Sequence, residues 1–193
     1  MISISPQSPL TTSDARSLLA MLPAQAEVEP GMSERELDRV EERWGFRFAP
    51  EHRTLLGAGL PTGSRGWPDW RDGDPEDLAA RLAWPVDGVL FDVEHNGFWH
   101  PDWDSRPTGA QEALKVARRH LAAVPVMVPV YSHRFLLADP DRTGTPVLSM
   151  YQTDIIYYGV DLVDYWHHEF GRPVATPEDH QYATLAFWSY FLD

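Results

Sequence analysis

Residues 126–159 read VMVPVYSHRFLLADPDRTGTPVLSMYQTDIIYYG. This stretch decides the fold class. Val126 to Tyr131 and Arg134 to Ala138 are short runs rich in branched and aromatic side chains, with only Ser132 and His133 between them. Such spacing predicts two strands of a hairpin. Asp139-Pro140-Asp141-Arg142-Thr143-Gly144 supplies turn chemistry. Val147 to Tyr151 is the returning strand, and Ile155 to Tyr158 a further one that Gly159 ends. Asp139-x-Asp141-x-Thr143-Gly144 also opens like a calcium loop, but Met150 stands where the bidentate Glu belongs, so a β-turn is the reading.

Helices are expected on either side. Ser33 and Glu36 form a capping box, Met32 can staple onto Leu37, and Leu37, Val40 and Trp44 make an apolar stripe that Gly45 ends. Pro50 opens a second helix to about Leu56. Ser13 is read as the cap of a short helix through Leu22, and residues 23–31 as a linker. Downstream, Asp74 to Trp84 reads as a short helix, Val89 to Phe91 as a strand, and Asn96-Gly97 as a turn. Thr108 and Gln111 suggest a further capping box before Ala113, Leu114, Ala117 and Leu121. Asp161 to Phe170 and Thr176 to Leu192 close the chain as helices. Helices, then clustered strands, then helices argue α+β, with a mainly antiparallel sheet of about five or six strands flanked by helices. Residues 1–30 are read as an N-terminal extension, and 31–193 as one domain with a Trp/Asp-rich insert at 61–107.

Composition narrows the partners. The net charge is −13, Lys115 is the only lysine, and Arg118-Arg119 the only adjacent basic pair. A phosphate backbone would be repelled, so nucleic acid is not an expected ligand. No apolar run is long enough to span a bilayer. With no cysteine and no signal-peptide pattern in Met1 to Pro9, cytosol is the expected compartment. Residues 67–104 hold ten acidic side chains against two arginines, together with Trp67, Trp70, Trp84, Trp99 and Trp103. Aromatic rings bury large area at low entropic cost, and carboxylates between them suit a basic protein.

Three stretches carry a family resemblance. They are MSERELDRVEERWGFRFAPEHRTLL (32–56), VPVYSHRFLLADPDRTGTPVLSMYQTDIIYYG (128–159) and DLVDYWHHEF (161–170). In this order they resemble the SUKH superfamily: its opening helix, aromatic-Gly-aromatic link and Pro-started second helix, its central hairpin, and its closing helix. That group includes bacterial immunity proteins against polymorphic toxins and a fungal regulator of cell-wall synthesis. The resemblance covers residues 31–170. It implies a non-enzymatic, protein-binding domain, often an antidote to a toxin, and brings no catalytic residue and no cofactor.

The expectation is therefore a domain that neutralises a basic, nuclease-like toxin by covering its charged site. Asp69, Trp70, Asp72, Asp92, Glu94, Trp99, Asp102, Trp103 and Asp154 are the expected contacts. Asp154 is also read beside His133 and Arg134, with Arg134 as its simplest partner. One alternative is a metal-dependent hydrolase using Asp92, Glu94, His95 and His100, which requires Asp92 and Glu94 to share one face of a strand. Another is a regulatory or scaffold domain without a toxin partner.

Overall fold

The computed structural model describes residues 9–172 and 180–192. The order is α1 (Thr12–Leu19), β1 (Glu27–Pro30), α2 (Glu34–Trp44), α3 (Pro50–Ala58), β2 (Gly59–Thr62), α4 (Pro75–His95), α5 (Ala110–Leu121), β3 (Met127–Tyr131), β4 (Arg134–Leu137), β5 (Val147–Tyr151), β6 (Asp154–Gly159) and α6 (Leu162–Phe170). A 3-10 helix at Ala186–Phe191 follows. The fold is α+β. Strands β3 to β6 form an antiparallel meander, and β1 and β2 pair as a separate ribbon. The main sheet thus has four strands, not five or six. No described helix is long and apolar enough to cross a membrane.

Alternation along the meander fills both of its faces. Met127, Phe135, Leu148 and Met150 pack with Val89, Leu90 and Val93 of α4, with Ala113, Leu114, Ala117 and Leu121 of α5, and with Trp188. Val130, Leu136 and Val147 pack oppositely, on α1, α3 and α6. Two hairpin turns, Ser132-His133 and Gln152-Thr153, therefore lie at the same end of the sheet.

The opening helices form as their sequence dictates. Ser33 caps α2 and Glu36 answers it, and Gly45 ends the helix in the left-handed region, where a Cβ is disfavoured. Hydrogen bonds from Ser33 and then Arg71 hold the Glu36 carboxyl down at about 2. Beside Leu37 and Val40 the helix buries a charge. Glu41 is 5% exposed; one oxygen accepts the Phe48 amide, and Arg47 and Arg53 lie at 3.0 and 2.9 Å. Burial opposes the charge of Arg53, but contacts with Glu34, Asp38 and Glu41 more than offset it and raise its pKa. The carboxylate thus ties α2, the link and α3 together.

Several expectations change. The cap of α1 is Thr11, with Asp14 completing the box, rather than Ser13. Residues 9–30 are not peripheral: Ala15, Leu18 and Leu19 are buried, Trp166 Nε1 donates to Leu18 O at 2.8 Å, and part of the expected linker is β1. Residues 75–95 form one helix, with no strand at Val89. Asp74 accepts the Glu76 and Asp77 amides, Pro75 fits the first turn, and packing of Val89, Leu90 and Val93 outweighs Pro85 and Gly88 inside. Gly109, without a side-chain bond, replaces the Thr108 cap of α5. The cap expected at Thr176 to Glu178 lies outside the described residues; of the helix expected to run on to Leu192, residues 180–185 are not helical and only the 3-10 helix at Ala186–Phe191 forms.

Two tests follow. Glu41→Gln leaves Arg53 without its buried counter-charge and should cost about 3 kcal/mol in urea denaturation; a cost under about 1 kcal/mol would show the carboxylate to be dispensable. His52 is buried, which pushes its pKa from 6.5 down to about 3. The unfolded chain takes up a proton there that the folded chain refuses, so stability falls as pH drops from 6.5 towards 3, by roughly 1 kcal/mol per pH unit. His52→Leu should therefore gain on the native protein between about pH 7 and about pH 5, and a constant difference would place His52 in an ordinary titrating environment.

Candidate recognition surface

Helix α4 crosses the hairpin-turn end of the sheet, and two residues fix it there. Gly88 leaves no room for a side chain: a Cβ would lie 2.8 Å from Gln152 Cα. One turn later, Asp92 is 3% exposed and accepts the Thr153 amide at 2.8 Å and the Thr153 hydroxyl at 2.6 Å. Its other oxygen accepts from Asn96. The hairpin turn is held in return. Gln152 sits at φ 56° and Ser132, in the neighbouring turn, at φ 51°. A non-glycine residue in that region costs about 1–2 kcal/mol, which the contacts of Thr153 with Asp92 and of the Ser132 amide with Gly66 O (2.7 Å) offset.

This docking leaves an unusual outer face. Seven large apolar side chains are exposed among the described residues, and three stand here: Trp84 and Phe91 on α4, and Tyr151 beside Trp84. Trp84 and Phe91 are seven residues apart, on one side of α4. Between and beyond them stand Asp87 and Glu94, each three or four residues from a ring, the spacing of surface neighbours on a helix. Trp84 donates its indole N–H to Met150 O at 3.0 Å, which fixes the ring beside Tyr151, with centroids 6.3 Å apart. Tyr151 is in register with Asp154, so the hairpin adds a phenol and a carboxylate at its tip. Among the described residues Glu76, Asp87 and Asp154 make no salt bridge, and Glu94 has only His95, at 3.5 Å.

The expected contact residues divide. Glu94 and Asp154 belong to this face. Asp92 is interior and positions it. Trp70 is buried against Phe46 and Phe48, and Trp103 is buried against His120, so neither offers contact area. Trp99 is half-buried, its N–H given to Asp104 O. Asp69 accepts the Arg71 and Asp72 amides in a turn. Asp72 and Asp102 are exposed but stand apart from α4's outer face: the first lines a groove with Arg39 and Arg43, the second lies beside His100. Asp154 does not pair with Arg134, which reaches Ser149 Oγ at 3.0 Å, Glu169 at 3.5 Å and the Tyr158 ring.

The proposed metal ligands do not converge. A helix turns about 100° per residue, so Asp92 and Glu94 point apart, one inward and one to solvent. His95 packs on Phe91, and His100 is enclosed by Trp103, Phe187 and Tyr190, with burial foremost in lowering its pKa. Among the described residues no group of three or more His, Asp or Glu could hold a metal ion.

The residues missed were Trp84, Asp87, Phe91 and Tyr151 as a set. The 84-87-91-94 spacing was present, but only a continuous helix makes it a face. No family model, curated protein or solved structure matches the chain.

Asp92→Ala should strand the Thr153 donors, destabilise the protein by about 2–3 kcal/mol and raise amide exchange most at residues 151–154. Unchanged protection there would show that the hairpin holds its place without α4.

Proposed function

We propose that this chain is a non-catalytic domain whose α4–hairpin face binds a basic protein. The observation that carries this is the grouping of three exposed aromatic side chains, Trp84, Phe91 and Tyr151, with unpaired carboxylates around α4 and its hairpin. Aromatic anchors surrounded by charge are the usual composition of binding hot spots. Carboxylates that no arginine or lysine among the described residues pairs add complementarity to a positive partner and speed the encounter.

The resemblance to the SUKH superfamily sharpens the reading to an immunity protein acting in the cytoplasm against a basic, nuclease-like toxin. The capped helix pair, the meander and the closing helix stand at the three stretches that carry the resemblance, which supports it. Inhibition would need no chemistry: acidic and aromatic groups would cover the cationic surface on which a nuclease holds phosphate. The separation of Asp92, Glu94, His95 and His100 weighs against the hydrolase alternative. A regulatory or scaffold role would use the same face and differ in the identity of the partner.

The test is retention of proteins from a lysate of the source cells on the immobilised chain, at low and high salt. A basic protein should be held at low salt and released at high salt. Trp84→Ala/Tyr151→Ala should weaken retention by about thirtyfold, and Asp87→Asn/Glu94→Gln/Asp154→Asn should flatten its salt dependence. Equal retention by both variants would remove this face from the interaction.

A further inference from the structure

A second feature lies away from α4, where α1, α3 and α6 meet. There a cavity of about 370 Å³ is lined by Leu10, Asp14, Glu51, Asp161, Val163 and His167, among others. Three of these are carboxylates, and no lysine or arginine lines it. Each carboxylate is half used. Asp14 Oδ2 accepts from the Thr11 amide and hydroxyl, Asp161 Oδ1 from the Asp164 amide at 2.8 Å, and Glu51 Oε1 from the Gly144 amide. None of the three forms a salt bridge among the described residues.

Glu51 turns this acidic lining into a site. Its side chain is only 8% exposed, and its Oε2 is buried with no hydrogen-bond partner. With Oε1 already accepting from Gly144, a donor at Oε2 is the partner this buried carboxylate lacks, and a bound cation would supply it. The rest of the lining sets the cation's shape. Leu10, Leu18 and Val163 give apolar walls suited to an aliphatic stem. The carboxylates suit a head that donates several hydrogen bonds, as ammonium and guanidinium do. A bare metal ion fits poorly, because the carboxylates do not converge as a ligand set among the described residues.

We infer that this cavity binds an organic cation: an ammonium or guanidinium head on a short aliphatic stem. Glu51 is the buried anchor, and Asp14 and Asp161 stand at the sides. The site is independent of the α4 face and stands whether or not that face binds a protein.

The experiment titrates the full chain at low ionic strength with n-butylguanidinium, and with n-butylurea as its uncharged isostere, by calorimetry. Saturable binding of one cation per chain is expected, with no binding of the urea. Glu51→Gln keeps the acceptor for Gly144 and removes the charge, and it should weaken binding at least tenfold. Asp161→Asn, on another element, should weaken it severalfold and serves if Glu51→Gln does not fold. Repeating the titration with agmatine and with the peptide Gly-Gly-Arg-Gly-Gly separates the two sources. Tighter binding of the first assigns a free amine, tighter binding of the second a protein side chain, and both support the site. Absence of saturable binding, binding of the urea equal to that of the cation, or undiminished affinity in both variants would overturn it.

Discussion

The buried carboxylate of Asp92 is the contact on which the outer face of this protein depends. Its oxygens bind one end of a hairpin turn and the end of its own helix. A charge this deeply placed persists only where donors surround it, and Thr153 supplies two of them. Because Gly88 lets the turn approach within a van der Waals contact of the helix, the two elements form one surface rather than two neighbours. Trp84 and Tyr151 are consequently presented together. The rigidity matters for recognition, since an anchor already fixed in place loses little entropy when it is covered.

A similar device organises the other end of the chain. Glu41 gathers the Phe48 amide, Arg47 and Arg53 beneath the α2–α3 pair, and Arg53 extends the network to Glu34 and Asp38. The protein thus uses several of its arginines internally: Arg71 is spent on Glu29, Glu36 and two carbonyls, Arg81 on Asp77 and the 65–66 backbone, and Arg134 on Ser149 and Glu169. What remains outside is a surplus of carboxylate. On α4 that surplus is arranged around aromatic rings, and at the α1–α6 cavity around aliphatic walls.

Much of the fold was legible because its signals are local. The Ser33–Glu36 box, Gly45 and Pro50 act within one or two turns, and strands β3 to β6 are short apolar runs set between turn residues. The site was only half legible. Pro85 and Gly88 read as breakers, yet tertiary packing of Val89, Leu90 and Val93 keeps α4 continuous, and that changes the direction of every side chain from 84 to 95. Asp92 moves from surface to interior, and Asp87 and Phe91 come forward. Trp70 and Trp103 carry no mark in the sequence that separates a core ring from an exposed one. Arg134 reads as the partner of Asp154, and only the packing of α6 on the sheet brings Glu169 to it instead.

The central claim is that the α4–hairpin face is where another protein sits. Site-specific photocrosslinking in the source cells addresses it directly, with the crosslinker at Asp87 in one chain and at Lys115, on the exposed side of α5, in another. A discrete protein adduct from position 87 and none from position 115 is the predicted result. Adducts from position 115 alone would place the partner on a different face and contradict the account.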